Sequence, residues 1–482
     1  MDTRNTKIVC TIGPATASAE RVATLIESGM DLARLNLSHG THALHRDVLG
    51  HIRSQAAKHG RQVGVLMDLA GPKIRLGEFD GGPVRLEVGQ EFRLTTGGEA
   101  GGSNRASVTH SALADEVRPG EPILLNDGAV TLGVEAVENQ DVVCVVRQGG
   151  VVDSHKGVNL PETELSVRAL TKKDRLDVAF GVEERVDWIA LSFVRSAEDV
   201  KDLKGLLSES SSDIPVMAKI ERREALVNIE EIIEAADGIM VARGDLGVET
   251  DLAQVPMVQK QIIRLARSQG VPVVTATQML ESMIEHPQPT RAEVTDVATA
   301  ILDGTDAVML SAETAVGRFP VETVKMMSRL ALATESSDET TPASAGRRSE
   351  SRDSGSGSPV TDAICHGTAQ MVSDLGLAAV LTCTSTGYSA RMMARFRPKA
   401  PIIAVTPSEV VGRRLTLSWG VRPVVSSPIE STDQMLADAT QAALGSGMVN
   451  AGQQIAVLAG LPFGQSGKTN LVKVHRVETV SS

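Results

Sequence analysis

Residues 215–221, Pro-Val-Met-Ala-Lys-Ile-Glu, are a short apolar run that ends in a lysine and a glutamate. Runs of the same kind, rich in valine and isoleucine, recur along the first 311 residues, and amphipathic stretches of helical length follow most of them. This alternation is typical of α/β units around a parallel sheet. The eight predicted strands are 7–12, 31–36, 62–68, 187–192, 215–221, 238–245, 272–277 and 307–311.

Eight such units predict a (β/α)8 TIM barrel and place the chain in the α/β class. Residues 72–168 break the alternation, because they contain only short alternating segments separated by glycine-rich turns. We expect them to form a small inserted β-barrel lid domain. Since the insertion follows the third strand, it should project over the face where barrel active sites lie. The barrel domain itself would comprise residues 1–71 and 169–335.

The remaining chain predicts a linker and a third domain. Residues 336–359 contain eight serines and no leucine, isoleucine, valine or aromatic residue, which favours a flexible linker or surface loop. Strand-like and helical segments alternate again over residues 360–482, which predicts a doubly wound α/β domain. Its predicted strands are 379–384, 401–406, 421–425, 454–459 and 471–475.

The composition excludes several classes of protein. The 482 residues carry 48 Lys and Arg against 60 Asp and Glu, a net charge of −12. Nucleic acids and anionic lipids attract clustered positive charge, and the aromatic residues (7 Phe, 2 Trp and 1 Tyr) are too few for base stacking. No apolar stretch reaches the ~18–20 residues that span a bilayer. We therefore expect no nucleic-acid partner and no membrane partner.

The amino terminus and the cysteines predict a cytoplasmic protein. Residues 1–7 lead into a strand without the apolar core of a signal peptide. The cysteines, which form no C-x-x-C pair, are expected to be reduced and buried. They are Cys10, Cys144, Cys365 and Cys383.

Polar and charged side chains gather at the carboxyl ends of the predicted strands, the face that carries barrel active sites. A charge buried within such a strand is costly unless it is paired or functional. One polar strand end would be an ordinary cap, but six strands share the feature. Those singled out are Arg34, Asn36, Ser38 and His39 after the second strand, Asp68 after the third, Lys219 and Glu221 at the fifth, Arg243, Gly244 and Asp245 at the sixth, Thr277 at the seventh, and Ser311 and Glu313 at the eighth.

Glu221 and Asp245 lie on neighbouring predicted strands and offer the oxygen ligands that a hard cation such as Mg²⁺ prefers. No cluster of histidine and cysteine suggests zinc. Lys219 should point the same way as Glu221, because side chains alternate along a strand. An ammonium group there could stabilise an enolate or a transferring phosphoryl group. A purely structural ion pair between Lys219 and Glu221 is the alternative.

Three residues are suited to binding an anionic substrate. Arg34 and Arg75 carry guanidinium groups that can clamp a phosphate. Gly244 exposes backbone N–H groups, so a carboxylate or phosphate can approach closely.

Six motifs resemble, in order, those of the pyruvate kinase family. The resemblance extends to residue 477 and leaves out only residues 336–359. The motifs are TKIVCTIGP at 6–14, RLNLSHG at 34–40, MAKIE at 217–221, VARGDLG at 241–247, ATQMLESM at 276–283 and MLSAET at 309–314.

The resemblance implies transfer of the phosphoryl group of phosphoenolpyruvate to ADP, which gives pyruvate and ATP, and it suggests a homotetramer. It also implies that Glu221 and Asp245 hold Mg²⁺ or Mn²⁺ and that Lys219 stabilises the phosphoryl group and the enolate. Thr277 would lie where the enolate is protonated. Substrate contacts are implied for Arg34, Lys219, Gly244, Asp245 and Thr277, and nucleotide-phosphate contacts for Asn36, His39, Arg75 and Lys156.

Two other functions fit part of this pattern. A metal-dependent lyase or aldolase would also use Glu221 and Asp245, but it would leave Arg75, Lys156 and the lid without a role. A metabolite-sensing pseudoenzyme would need a broken catalytic position, and none of the implied catalytic residues is missing.

The segment Thr-Ser-Thr-Gly-Tyr-Ser at 384–389 follows a predicted strand and opens a probable helix, where hydroxyl and N–H groups can hold a phosphate. An ordinary N-cap turn is the alternative. In the family this position resembles the effector site. Because basic side chains are scarce here and only Lys468 is near, we expect activation by AMP or a sugar monophosphate. The candidate effector residues are Thr384, Ser385, Thr386, Gly387 and Ser389.

Residues 68–75 read Asp-Leu-Ala-Gly-Pro-Lys-Ile-Arg, whereas the motif of K⁺-dependent members resembles Asp-Thr-Lys-Gly-Pro-Glu-Ile-Arg. Lys73 therefore replaces a carboxylate by an ammonium, and two unit charges about 4 Å apart interact by ~4 kcal/mol at an effective dielectric near 20. We expect Lys73 to supply the positive charge, so that K⁺ is not required; a solvated loop lysine is the alternative. The remaining potential ligands of a monovalent cation are Asn36, Ser38, Asp68 and the Leu69 carbonyl.

Overall fold

A computed structural model describes residues 4–337, 358–427, 432–461 and 468–478. Most of the predicted linker, residues 338–357, lies outside the described residues. The strands are β1 (Lys7–Thr11), β2 (Leu32–Asn36), β3 (Gly64–Asp68), β4 (Val84–Leu86), β5 (Glu91–Thr95), β6 (Arg105–Ser107), β7 (Pro122–Leu125), β8 (Val130–Glu138), β9 (Asp141–Gln148), β10 (Gly150–Val152), β11 (Val158–Asn159), β12 (Trp188–Leu191), β13 (Val216–Ile220), β14 (Gly238–Ala242), β15 (Val273–Ala276), β16 (Ala307–Leu310), β17 (Ala379–Cys383), β18 (Ile402–Thr406), β19 (Val421–Val425), β20 (Gln454–Ala459) and β21 (Leu471–Arg476).

Helices follow the barrel strands and flank the strands of the C-terminal sheet. They are α1 (Ala19–Ser28), α2 (His42–Lys58), α3 (Leu113–Glu116), α4 (Lys172–Glu183), α5 (Ala197–Glu209), α6 (Arg223–Val227), α7 (Ile229–Ala235), α8 (Arg243–Glu249), α9 (Val255–Gln269), α10 (Arg291–Asp303), α11 (Ala312–Ala315), α12 (Pro320–Glu335), α13 (Pro359–Leu375), α14 (Tyr388–Ala394), α15 (Glu409–Leu415) and α16 (Thr432–Gly445). Among the described residues, no helix has both the length and the apolar character needed to cross a membrane.

Eight parallel strands close into a barrel in the order β1-β16-β15-β14-β13-β12-β3-β2, which confirms the predicted TIM barrel. Local sequence signals explain the helix boundaries. Ser18 caps α1 by accepting from the Arg21 N–H, and Gly29 ends that helix with a φ of 121°. Helix α10 was not predicted, although Thr290 and Glu293 form a capping box at its start.

Large apolar side chains fill the interior of the barrel, so it is a packed core with no channel. Trp188, Met217, Met240 and Met309 are among them, and Leu417 from the C-terminal domain completes the cluster. Ligands therefore have to bind at an end of the barrel.

The inserted segment between β3 and α4 contains a six-stranded sheet in the order β11-β7-β8-β9-β5-β6 and a separate pair, β10-β4. The end strands β11 and β6 do not pair, so the sheet is open and curled instead of the small closed barrel that we expected. The four-residue helix α3 also lies in this segment, where no helix was predicted.

The C-terminal sheet has the order β19-β18-β17-β20-β21, and only β21 is antiparallel to its neighbour. This domain packs on the amino-terminal end of the barrel. Lys7, which begins β1, donates from Nζ to the Val421 carbonyl at 2.7 Å, and the Trp188 indole donates to the Arg414 carbonyl at 3.2 Å. The amino-terminal end of the barrel is therefore covered, and the inserted sheet lies at the carboxyl end.

Candidate active site

Lys219 is the centre of a buried cluster at the carboxyl end of the barrel. Its Nζ lies 2.8 Å from Glu221 Oε1, 3.3 Å from Asp68 Oδ1 and 2.7 Å from the hydroxyl oxygen of Ser192. These groups belong to β13, β3 and the end of β12, so closure of the barrel brings distant parts of the sequence together. The short distance between Lys219 and Glu221 confirms that both point to the same side.

The surrounding charges favour the ionised forms of Lys219 and Asp68. Burial disfavours the charged form of Lys219, but the carboxylates of Asp68 and Glu221 outweigh it and raise the pKa of the ammonium. Burial likewise opposes ionisation of Asp68, yet Lys219 and Arg34 hold the pKa of that carboxyl below its ordinary value. The Arg34 guanidinium donates from Nε to Asp68 Oδ2 at 2.7 Å. Lys219 and Asp68 are thus held in their charged forms beside Glu221.

Glu221 and Asp245 form a pair of carboxylates suited to a divalent cation. Glu221 Oε1 contacts Lys219, and Oε2 accepts from the Phe193 N–H at 2.8 Å. Burial raises the pKa of Glu221, Lys219 opposes this, and the charge of Asp245 raises it further. A cation bound by both carboxylates would remove their mutual repulsion.

The donor set agrees with Mg²⁺. Within the described residues, no group of three or more His, Cys, Asp or Glu side chains converges as a metal site. Mg²⁺ is commonly bound by one or two carboxylates together with substrate oxygens and water, so two carboxylates are enough.

The predicted strand 238–245 extends three residues beyond the end of the observed strand. Strand β14 ends at Ala242, and Gly244 and Asp245 lie in the first turn of α8. The Gly244 N–H donates to Thr277 Oγ1 at 2.9 Å, and Arg243 Nη2 donates to the Thr277 carbonyl at 2.7 Å. These bonds hold the start of α8 against the end of β15.

Three residues at this end of the barrel have left-handed backbone conformations. Thr277 has a φ of 67°, Gln278 of 55° and Phe193 of 57°. Such values are unfavourable for a β-branched or bulky residue and persist only where contacts impose them. The hydrogen bonds of Thr277 with Gly244 and Arg243, and of Phe193 with Glu221, are such contacts.

Lys73 lies against one of the two candidate metal ligands. Its Nζ is 3.2 Å from Asp245 Oδ1, and its side chain is 30% exposed. A Cβ on Gly157 of the inserted sheet would lie 3.4 Å from Lys73 Cε. Lys73 thus bridges the inserted segment and the barrel rim, and is not a freely solvated loop residue.

The candidate monovalent-cation ligands lie on neighbouring strand ends. Asn36 is opposite Asp68 in the register of β2 and β3. The Asn36 side-chain oxygen accepts from the Ser38 N–H at 3.1 Å, and the Leu69 carbonyl accepts from the Ser192 hydroxyl at 2.8 Å. Several of their oxygens are therefore engaged by the protein itself.

Comparison with known proteins identifies the family. The family model described as pyruvate kinase, barrel domain, matches residues 3–324, and the one described as pyruvate kinase, alpha/beta domain, matches residues 362–475. The chain belongs to the pyruvate kinase family. The enzyme is accordingly a phosphotransferase that converts phosphoenolpyruvate and ADP into pyruvate and ATP, which sets aside the lyase alternative.

Individual pyruvate kinases are similar over nearly the whole chain. A pyruvate kinase of Geobacillus stearothermophilus is 46% identical over 475 residues, which cover 98% of this chain and 80% of that protein. One from Clostridium acetobutylicum is 42% identical over 477 residues, covering 98% and 100%. The crystal structure of a pyruvate kinase from Cryptosporidium parvum matches with a TM-score of 0.89 and 36% identity over 98% of this chain and 96% of that one.

The predicted nucleotide contacts of the enzyme form two groups. Arg75 and Lys156 lie where the inserted sheet joins the barrel, and Arg75 Nη1 donates to the His155 carbonyl at 3.0 Å. Asn36 and His39 lie at and beyond the end of β2, and the side chain of His39 is exposed. No hydrogen bond joins the two groups within the described part of the chain.

The predicted effector segment of the enzyme has two exposed hydroxyl groups. Thr384 is buried and its Oγ1 accepts from the Gly387 N–H at 2.9 Å, while the Ser389 hydroxyl bonds that of Thr469 at 2.7 Å. Ser385 and Thr386 are exposed.

Sequence reasoning missed two residues of the site. The Ser192 hydroxyl connects Lys219 with the Leu69 carbonyl, and the Phe193 N–H holds Glu221. Ser192 ends a predicted strand, which is the signal that could have revealed it. The positive φ of Phe193 leaves no mark in the sequence, because phenylalanine is not a residue expected there.

Proposed function

We propose that the Lys219 cluster is the catalytic centre of this pyruvate kinase and that Glu221 and Asp245 hold its Mg²⁺. The observation that carries the proposal is the contact of a buried ammonium with two carboxylates at the open end of the barrel. Bound there, Mg²⁺ would supply positive charge to the carboxylate and enol oxygen of phosphoenolpyruvate.

The residues of the chain would then act mainly by position and charge. Lys219 and Arg34 present cations to the phosphoryl group, and Lys219 also stabilises the enolate that remains. Gly244 and Asp245 contact the substrate at the start of α8. Thr277 would lie on the side where the enolate is protonated, and hydrogen bonds with the Gly244 N–H and the Ala276 carbonyl hold its hydroxyl.

The nucleotide would lie between the barrel and the inserted lid. Arg75 and Lys156 are cations at the junction of the two; Lys156 is exposed and Arg75 is half-buried, and both could contact phosphate oxygens. Asn36 and His39 would contact the nucleotide from the barrel side. A nucleotide held from both sides would exclude water from the transferring group.

The enzyme would work without K⁺ because Lys73 carries the charge that K⁺ supplies elsewhere in the family. Its contact with Asp245 supports a role beside the substrate phosphate. The set Asn36, Ser38, Asp68 and Leu69 would then stay without a monovalent cation.

Regulation and assembly complete the proposal. A monophosphate such as AMP or a sugar monophosphate would activate the enzyme at residues 384–389, in a regulatory domain formed by residues 360–482.

The barrel domain would comprise residues 1–71 and 169–335, and the lid residues 72–168. The enzyme would be a cytoplasmic homotetramer.

The experiment that tests the proposed function measures pyruvate and ATP together from phosphoenolpyruvate and ADP. The two products should appear in equal amounts, and a chelator of divalent cations should abolish both. Pyruvate without ATP, or turnover that survives the chelator, would contradict the proposal.

A further inference from the structure

Glu249 is a buried carboxylate at the last position of α8, the helix whose first turn carries Asp245. Its Oε1 accepts from the side-chain amide of Asn159 at 3.0 Å. Asn159 lies on β11 of the inserted lid, and both residues are buried, with exposed fractions of 3% for Glu249 and 6% for Asn159. A buried hydrogen bond thus joins the lid to the helix of one candidate metal ligand.

The same carboxylate approaches the segment of the other candidate metal ligand. Arg222, which follows Glu221, has its Nη1 3.7 Å from Glu249 Oε1. The Arg222 guanidinium also donates to the two carboxylate oxygens of Glu224, at 3.3 Å each. Glu249 therefore lies where three parts of the protein meet, which are α8 after Asp245, the chain after β13, and the lid.

Two further contacts place the lid along α8. Lys73 Nζ lies 3.2 Å from Asp245 Oδ1 in the first turn of the helix. Near its last turn, a Cβ on Gly128 of the lid would lie 3.9 Å from Val248 Cγ1. Helix α8 is thus a surface on which the lid rests, and the bond from Asn159 is a buried polar contact on that surface.

The stability of the fold alone does not explain this carboxylate. Within the described residues, Glu249 Oε2 is buried without a hydrogen-bond partner. Burial raises the pKa of Glu249, and the Arg222 charge and the Asn159 amide oppose this only in part. A buried acid with an unpaired oxygen is costly compared with an apolar side chain, so its presence indicates a role other than stability.

We propose that Glu249 is a positioning residue that docks the lid on α8, so that Lys156 of the lid is held over the nucleotide phosphates. This role rests on the proposed function in one respect, the contact of Lys156 with the nucleotide. Lys156 lies three residues before Asn159, so it moves with β11. Phosphoenolpyruvate would bind to barrel residues, so loss of the docking contact should affect the nucleotide more than phosphoenolpyruvate.

Asn159→Asp tests the contact, because it places a second carboxylate against Glu249 with almost no change in the size of the side chain. The KM for ADP should rise at least ~10-fold, whereas the KM for phosphoenolpyruvate should change less than about threefold. Asn159→Ala removes the donor without adding charge and should raise the KM for ADP by ~3-fold or more. Asn139→Asp, at an exposed lid position in the turn between β8 and β9, is the control. An unchanged KM for ADP in Asn159→Asp or Asn159→Ala would overturn the proposal.

A second substitution distinguishes positioning from a general loss of structure. When Asn159→Asp is combined with Glu249→Gln, the amide and the carboxylate exchange places, and the hydrogen bond can form again with the opposite donor. The KM for ADP of this double variant should return to within about threefold of that of the unmodified enzyme. A double variant as impaired as Asn159→Asp alone would contradict the docking role of Glu249.

Hydrogen–deuterium exchange measures the same contact in the enzyme without substrates. Asn159→Asp should speed up exchange of the backbone N–H groups of β11 and α8, and Asn139→Asp should not. The Val158 N–H, which donates to the Ile74 carbonyl at 3.0 Å, is among those expected to exchange faster. Unchanged exchange in β11 and α8 would reject docking by Glu249. If instead the unmodified enzyme forms no ATP, the proposed function fails, and the exchange measurement still decides whether Glu249 docks the lid.

Discussion

The two ends of the barrel both carry buried charges, but they use them differently. At the amino-terminal end, four aspartates stand immediately before alternate barrel strands, and each accepts from a backbone N–H of the preceding barrel strand. The pairs are Asp31 with Ile8 at 2.9 Å, Asp187 with Val65 at 2.8 Å, Asp237 with Val216 at 2.9 Å and Asp306 with Val273 at 3.0 Å.

Each of these amino-end aspartates is also paired with at least one cation. The pairs are Asp31 with Arg4 at 2.8 Å, Asp187 with Arg413 at 2.8 Å, Asp237 with Lys204 at 2.9 Å and Asp306 with Arg397 at 3.3 Å. At the carboxyl end, by contrast, one lysine, Lys219, is shared by Asp68 and Glu221. Carboxylates that each hold a backbone N–H and a cation support one end, whereas a lysine shared by two carboxylates supports the proposal that the other end is the catalytic one.

A large effect is expected from Glu221→Gln. Loss of one carboxylate should lower turnover by at least ~100-fold and raise the Mg²⁺ concentration needed for half-maximal rate, because a metal ligand and a partner of Lys219 are both changed. Steady-state kinetics with Mg²⁺ titration would measure it. Glu230→Gln, an exposed position on α7, serves as the control. Unchanged Mg²⁺ dependence in Glu221→Gln would remove Glu221 from the metal site.

At the amino-terminal end, a substitution is expected to lower thermal stability and to leave turnover nearly unchanged. Asp187→Asn leaves Arg53 and Arg413 without their carboxylate, and breaking a buried pair typically costs ~3–5 kcal/mol. The melting temperature should fall, whereas kcat measured well below that temperature should stay near that of the unmodified enzyme. Loss of kcat without loss of thermal stability would contradict the division between the two ends.

A smaller effect is expected from monovalent cations. The unmodified enzyme should be substantially active in Na⁺ or Tris buffer without K⁺, since Lys73 supplies a fixed positive charge. Lys73→Glu should lower activity and make it respond to K⁺, because a carboxylate restores the charge that attracts the ion. Titration of each protein with KCl at constant ionic strength would test this. Many-fold K⁺ activation of the unmodified enzyme would reject the idea.

The smallest effect concerns pH and Lys7 at the amino-terminal end. Burial lowers the pKa of Lys7 to about 8 from its ordinary 10.5. Between these values the unfolded chain binds more protons than the folded one, so this group favours folding increasingly as pH rises from 8 to 10.5. The melting temperature of the unmodified enzyme relative to Lys7→Met should rise over that range. A constant difference would show that Lys7 titrates normally.

The sequence predicted most of the barrel because buried parallel strands are short apolar runs, and it located Lys219 and Glu221 through their alternation on β13. It missed the role of the amino-end aspartates. Asp187 depends on Arg413, 226 residues away, and such a partner is visible only after folding. The inserted sheet was predicted to close into a barrel, but it is open. Pairing of its edge strands depends on tertiary contacts, which the sequence pattern does not show. Strain at Thr277 and Phe193 could not be predicted from residue type.

The measurement that tests the account most directly compares Lys219→Met with Lys204→Met, the same change at the two ends of the barrel. Lys204 pairs with Asp237 at the amino-terminal end. At saturating phosphoenolpyruvate, ADP and Mg²⁺, we predict that Lys219→Met lowers the rate of ATP formation by ~1,000-fold or more, because its charge acts in the transition state, while Lys204→Met changes it less than about twofold. Most of the activity surviving in Lys219→Met, or equal losses in both variants, would contradict the account.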